Sequence, residues 1–195
     1  MEQTLSLEFL RVVEEALEWL HRQRGLGCAV LRCFNAAGCA GDIGEDHAPE
    51  THLIPLALDA VLGRSGPLRV LGEDHPTPDG TCVRDYVHAS DLAAGFRLAL
   101  ERTGPGEHRV CNLGSGLGAS VREVLAMVGE VTGQAVPVVS APRREGDAAV
   151  LVADIARARR ELDWEPARSA LRPLVESAWA WRRAHPGGYR TPAPV

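Results

Sequence analysis

Apolar positions Leu10, Val13, Ala16, Leu17 and Leu20 recur at helical spacing within residues 8–23, and Gly25 closes the run. The spacing predicts a helix that feeds directly into a strand over 28–34. There, Cys-Ala-Val-Leu-Arg-Cys-Phe is a short apolar stretch of the kind buried on both faces of a parallel sheet. Residues 53–62 read as a second helix, 68–71 as a short strand and 91–100 as a third helix that stops before Gly104 and Pro105. A strand over 108–113 follows, and Ser120 with Glu123 makes a capping box that opens a helix to residue 131. Beyond a strand at 136–139, Asp154 is placed to cap a helix reaching residue 162, and 171–184 forms the last helix. Strands and helices alternate without an internal repeat, which predicts an α/β protein with a parallel sheet. The end of the chain, 186–195, carries Pro186, Pro192 and Pro194 and reads as a loose tail.

At 195 residues the chain is long enough to bury one ordinary core. A net charge of −5 with scattered arginines leaves no field to attract phosphate backbones, so nucleic acid is not an expected partner. Neither a signal segment nor a membrane span is visible at the start, where Glu2 and Glu8 interrupt the apolar residues. A cytoplasmic location is the expectation. The cysteines at 28, 33, 39, 82 and 111 show no Cys-x-x-Cys spacing, and their odd number fits reduced thiols. No disulfide and no metal are expected, because His47 and His52 have no third ligand nearby in sequence.

The candidate chemistry lies in polar loops that leave the C-terminal ends of strands, the edge at which open α/β sheets bind ligands. In the first, spanning 34–55, Asn35 can donate and accept at once, and His52 sits where a helix begins and exposed N–H groups favour an anion. Capping of local turns is the alternative for both. A second loop, 72–91, holds Arg84 between Asp79 and Asp85. Its guanidinium suits a diphosphate, or a structural ion pair with Asp85 or Asp91. Arg143 and Arg144, followed by Asp147, could bring a second guanidinium to the same phosphates, although a solvated charge run explains them equally well. Gly114-Ser-Gly-Leu-Gly-Ala119 matches G-x-G-x-x-A, but 136–141 lacks the acidic residue a dinucleotide fold needs, which favours a plain turn.

Several blocks together resemble the UDP-glucose (UDP-galactose) 4-epimerase family of extended short-chain dehydrogenase/reductase proteins. They are L-R-C-F-N-A-A-G at 31–38, P-E-T-H-L-I-P at 49–55, P-T-P-D-G-T-C-V-R-D-Y-V-H at 76–88, N-L-G at 112–114, P-R-R-E-G-D at 142–147 and W-A-W at 179–181. The resemblance covers residues 28–189. It implies a partial NAD(P)-binding Rossmann-like sheet plus the smaller C-terminal substrate-binding lobe. It also implies that Asn35, His52, Leu71, Arg84, Arg144, Asp147 and Leu151 match positions around a UDP-hexose. The two arginines would lie near the diphosphate, Asp147 on the ribose, Leu71 at the uracil and Leu151 at the sugar. Cys33 and Phe34 would face the nicotinamide side of NAD, which takes and returns a hydride at C4 of the hexose with help from a tyrosine and a lysine.

Counting back from Glu14-Glu-Ala-Leu17, the tyrosine and lysine positions of that family fall on Ser6 and Leu10, neither of which can act as acid or base. Residues 1–11 depart from the pattern as an atypical start, before a family-like stretch at 12–185 and the tail at 186–195. Cys33, Leu71 and His75 stand where tyrosine, phenylalanine and tyrosine are usual. The expectation is a truncated UDP-glucose 4-epimerase, inactive alone. Alternatives are one half of a split enzyme, completed by a separate N-terminal half, and a UDP-sugar-binding module without catalysis. A homodimer is a further expected partner. The strands at 28–34 and 108–113, deprived of neighbours, would expose apolar surface and open edges, so partial unfolding or aggregation is expected.

Overall fold

The computed structural model describes residues 2–189. Helix α1 (Glu2–Arg24) runs without a break through residues 11 and 12, where the atypical start was expected to end. It lies against strand β1 (Cys28–Cys33), held by Arg32, which donates from Nε and Nη2 to the two carboxylate oxygens of Glu14 at 2.8 and 2.5 Å. The bidentate fork holds the Glu14 carboxyl below the usual carboxylate range. His21 stacks on His108 with ring centroids 5.3 Å apart.

β1 pairs in parallel with β6 (His108–Leu113), from Cys28 opposite His108 to Cys33 opposite Leu113. The strand expected over 28–34 then changes partner. The N–H of Phe34 still reaches Leu113 O, but that of Asn35 goes to Asp85 O, and β2 (Asn35–Ala37) pairs in parallel with β5 (Tyr86–His88). β3 (Leu68–Leu71) and β8 (Val138–Ala141) form another parallel pair. β4 (Val83–Arg84) lies between β7 (Ala119–Ser120), antiparallel to it, and β9 (Val150–Leu151), parallel to it. Parallel pairing thus predominates, as the alternation of elements predicts. β8 starts two residues later than 136 because Pro137 has no N–H to donate; its carbonyl instead takes the N–H of Leu68 at 2.8 Å.

Burial on both faces, expected for 28–34 and 108–113, is not what the fold provides. In β1 no residue is fully buried and Arg32 and Cys33 are exposed; in β6 only Cys111 and Leu113 are buried. The reason is that, among the described residues, these two strands pair with each other and with no third strand.

Two cores hold the molecule. Helices α2 (Leu53–Val61), α4 (Val121–Thr132) and α6 (Leu171–Ala184) pack through Ile54, Leu58, Val124, Val128, Leu174 and Trp181. The second core gathers Val87, Leu92, Cys111, Leu113, Leu162 and Trp164 beside α3 (Ala89–Arg102) and α5 (Ala156–Leu162). The predicted capping box of α4 is present: Glu123 N–H donates to Ser120 Oγ at 3.1 Å, and Ser120 N–H to Glu123 Oε2 at 2.7 Å. α3 begins two residues before position 91, because the His88 side chain accepts the Ser90 N–H and caps it. The cap of α5 is Ile155 rather than Asp154, although Asp154 Oδ1 still accepts the Ala156 N–H at 2.9 Å.

The start of the supposed tail is fastened. Tyr189 N–H donates to Asp46 Oδ2 at 2.8 Å, its hydroxyl accepts the Gly44 N–H at 2.7 Å, and its ring leans on Trp181. The rest of that segment, 190–195, lies outside the described residues. No described helix is long and apolar enough to cross a membrane.

Candidate functional site

Arg84 is the pivot of the site. As the last residue of β4 it stands opposite Ala119 on one side and Leu151 on the other. Its Nη1 donates to Val83 O at 2.7 Å, which orients the guanidinium, and its Nη2 is paired with Asp147 Oδ1. The sequence offered Asp85 or Asp91 as structural partners for this arginine; the fold gives it Asp147 instead.

Asp85 is unavailable to Arg84 because its carboxylate is fully buried and already surrounded by donors. Oδ1 accepts the Ser115 N–H and hydroxyl, both at 2.6 Å, and Oδ2 accepts the N–H groups of Gly116 at 2.9 Å and Ala153 at 3.0 Å. An anion is therefore built into the turn at 114–119, held by the backbone N–H groups that a phosphate-binding loop would offer to its ligand. Asp79 serves its own loop likewise, accepting from Thr81 N–H and hydroxyl at 2.8 and 2.7 Å and from the Ser120 hydroxyl.

The second arginine loop arrives beside Arg84 through β3 and β8. These parallel strands end together, Leu71 opposite Ala141, and Arg143 and Arg144 follow at the carboxyl edge. Gly72, at φ +82°, turns the chain where any Cβ would press on Arg143. Arg143, Arg144, Glu145, Gly146 and Asp147 line an open hollow of about 450 Å³. Leu71, Arg84, Arg144, Asp147 and Leu151, separate in sequence, are thus carried by two neighbouring sheets. Leu151 is half exposed and free to meet a ligand.

Asn35 lies on β2, its amide nitrogen donating to Asp85 O at 2.7 Å. His52 is placed differently. It is the N-cap of α2 but makes no side-chain cap. The anion expected at this helix start is Glu50, whose Oε1 accepts the N–H groups of Thr51 and His52 at 2.8 and 2.9 Å and lies 2.9 Å from His52 Nδ1. Arg182 of α6 donates to the other oxygen of Glu50 at 3.2 Å. The pairings of His52 are with Glu45 and Glu50, not with the Arg84 group.

The position that matches the lysine, Leu10, is an exposed residue of α1, and the side chain of Ser6 lies outside the described residues. Burial, with the neighbouring Cys82 adding to it, pushes the Tyr86 phenol well above the ordinary range. Cys33 is exposed at the end of β1, while Phe34 is partly buried against the second core. In the turn 114–119 the N–H groups of Ser115 and Gly116 are taken by Asp85, so this turn does not offer the pyrophosphate of NAD a dinucleotide-binding loop.

Sequence spacing offers no cluster of metal ligands, yet the fold assembles two. His75, Cys82 and Asp147 bring one ligand atom each to within 4.8 Å of one another, as do Glu45, His47, Glu50 and His52. Neither spacing matches a metal motif: the first grouping joins residues 75 and 82 to 147, and the second lies within residues 45–52. The five cysteines are free thiols in this structure.

A family model described as the NAD dependent epimerase/dehydratase family matches residues 11–114. A curated UDP-glucose 4-epimerase of Corynebacterium glutamicum is 51% identical over 160 residues, which is 82% of this chain and 49% of that protein. Among solved structures, the UDP-glucose 4-epimerase of Brucella ovis in complex with NAD is 42% identical with a TM-score of 0.81, over 87% of this chain and 53% of the other. The Bifidobacterium longum enzyme, in complex with NAD+ and UDP, is 32% identical with a TM-score of 0.83, over 95% and 54%. The chain spans about half the length of the curated relatives it matches. It is an α/β protein that combines part of a parallel sheet with a C-terminal lobe, and it belongs to the NAD dependent epimerase/dehydratase family.

Proposed function

We propose that this chain carries the UDP-hexose-binding part of a UDP-glucose 4-epimerase, the enzyme that interconverts UDP-glucose and UDP-galactose. The observation that supports this most directly is an open hollow lined by Arg144 and Asp147 at the carboxyl edge of parallel strands, with Arg84 paired to Asp147. Two guanidinium groups suit a diphosphate, and a carboxylate suits the paired hydroxyls of a ribose. On this reading Leu71 borders the uracil, Leu151 the sugar, Asn35 and His52 the polar face of the ligand, and Cys33 with Phe34 the nicotinamide. A bound UDP-sugar then has to part Arg84 from Asp147, exchanging an internal ion pair for contacts with phosphate and ribose.

NAD, when bound, supplies the hydride acceptor that this chemistry requires. The 195 residues themselves contribute binding and orientation, because Ser6 and Leu10 occupy the positions of the acid/base pair. Loss of a general base alone costs about 10²–10⁴ in rate. On this reading turnover needs a glycine loop and a Tyr/Lys pair in addition to the residues described above. A second copy of this chain in a homodimer could not supply those groups. Reduced thiols throughout accord with a cytoplasmic setting.

The test is an epimerisation assay with UDP-galactose and NAD. The chain alone is expected to give no UDP-glucose, and a mixture with a separately produced glycine-loop half is expected to give turnover. Turnover by the chain alone would overturn the division of labour, and a mixture that stays inactive while both halves are folded would overturn the complementation.

A further inference from the structure

We propose that His75, Cys82 and Asp147 form a binding site for a divalent cation of the zinc type. The site shares Asp147 with the UDP-sugar reading and otherwise stands apart from it. The first support is an orphan atom. The His75 side chain is 1% exposed, yet among the described residues its Nε2 has no hydrogen-bond partner, and it lies 4.0 Å from Asp147 Oδ2, too far for a hydrogen bond. A buried ring nitrogen with nothing to bond is costly, and a cation between these atoms would satisfy it.

The second support is the donor set. A ring nitrogen of His75, Sγ of Cys82 and a carboxylate oxygen of Asp147 lie within 4.8 Å of one another. Zinc bonds of about 2.0–2.3 Å place tetrahedral ligand atoms about 3.3–3.7 Å apart, so a contraction of about an ångström completes the geometry. One nitrogen, one sulfur and one oxygen select zinc or cobalt over magnesium or calcium, and leave a fourth position for water.

The surroundings suit this role. His75 is pinned by its own loop, its N–H donating to Gly80 O at 2.9 Å while its carbonyl accepts the Thr77 N–H at 2.8 Å. Gly72 keeps the space beside the ring open, since a Cβ there would lie 3.0 Å from Nε2. Asp147 gives Oδ1 to Arg84, which fixes the carboxylate with Oδ2 toward His75, as hydrogen-bonded metal carboxylates are fixed. Burial pushes the Cys82 thiol up, with Asp147 adding to the effect and Arg84 and Arg144 opposing it, so the thiol is protonated without metal. On binding, the thiol proton passes to solvent and the sulfur–metal bond replaces the S–H bond, with no change of oxidation state.

The experiment uses the 195-residue chain carrying Cys33→Ser, which removes the exposed thiol. Titration with cobalt(II) is expected to saturate at one equivalent, with a near-ultraviolet sulfur-to-cobalt band that zinc displaces and magnesium and calcium do not. His75→Gln should weaken binding at least tenfold, and Cys82→Ser should abolish the band. X-ray absorption of the zinc form then counts sulfurs on the parent, without depending on how the variants fold; one sulfur is expected. No band, a band that survives both substitutions, or a zinc shell with no sulfur or more than one would overturn the site.

Discussion

Asp85 has no exposed surface, and its carboxylate is met by three backbone N–H groups and one hydroxyl. Asp85→Ala would leave those donors facing a void, so a loss of at least about 3 kcal/mol is expected in denaturant unfolding. Its neighbour in sequence, Arg84, is more conspicuous as chemistry. Yet nothing local distinguishes an acid that fills a turn from one that pairs with an arginine, because the donors arrive from residues 115, 116 and 153. His88 makes a second prediction. It is buried, its Nδ1 accepts the Ser90 N–H, and burial holds its pKa below the ordinary histidine value, with Arg168 assisting and Asp91 opposing. As pH falls below about 6.5, the unfolded chain takes up this proton while the folded chain resists, so stability is lost from there down to the folded value. Above that range His88 contributes no pH dependence. Thermal melts at pH 7.5 and 5.5 should therefore show a larger drop for the parent than for His88→Gln.

Among the elements, those with their own periodicity or punctuation were legible, and those defined by a partner were not. The capping box of α4 is written in Ser120 and Glu123 and appears where expected; Ser120→Ala should cost about 1 kcal/mol, read from the denaturation midpoint. β4, β7 and β9 are two residues each and carry no alternation to detect. They exist because Val83 and Arg84 find Ser120 and Ala119 on one side and Val150 and Leu151 on the other. The change of partner at Phe34 is invisible for the same reason: 28–34 reads as one apolar run, and only the position of Asp85 diverts Asn35 to a new neighbour. The site followed this pattern. Arg84, Arg144 and Asp147 were each visible as candidates, but the pairing of Arg84 with Asp147, 63 positions away, required the fold. Trp164 shows how the second core is anchored, with its indole N–H on Asp91 O at 2.8 Å; Trp164→Ala should cost about 3–5 kcal/mol.

At the scale of the whole molecule, apolar residues of α1 face outward. Phe9, Val12 and Trp19 are 67, 62 and 57% exposed, and among the described residues β1 pairs only with β6. Such a surface favours association, so sedimentation velocity should show the chain's mass rising with concentration, and Trp19→Glu should reduce the effect. A single concentration-independent monomer would contradict that expectation. The two cores, with Arg84 paired to Asp147 beside the hollow lined by residues 143–147, provide the frame on which UDP-sugar binding is proposed. The most direct measurement of that claim is calorimetric titration of the chain with UDP, repeated for Arg84→Ala. Saturable binding that weakens by about 1–3 kcal/mol in the variant is the predicted result, the usual cost of a charged hydrogen bond. No binding by the folded parent, or binding that is unchanged by Arg84→Ala, would contradict it.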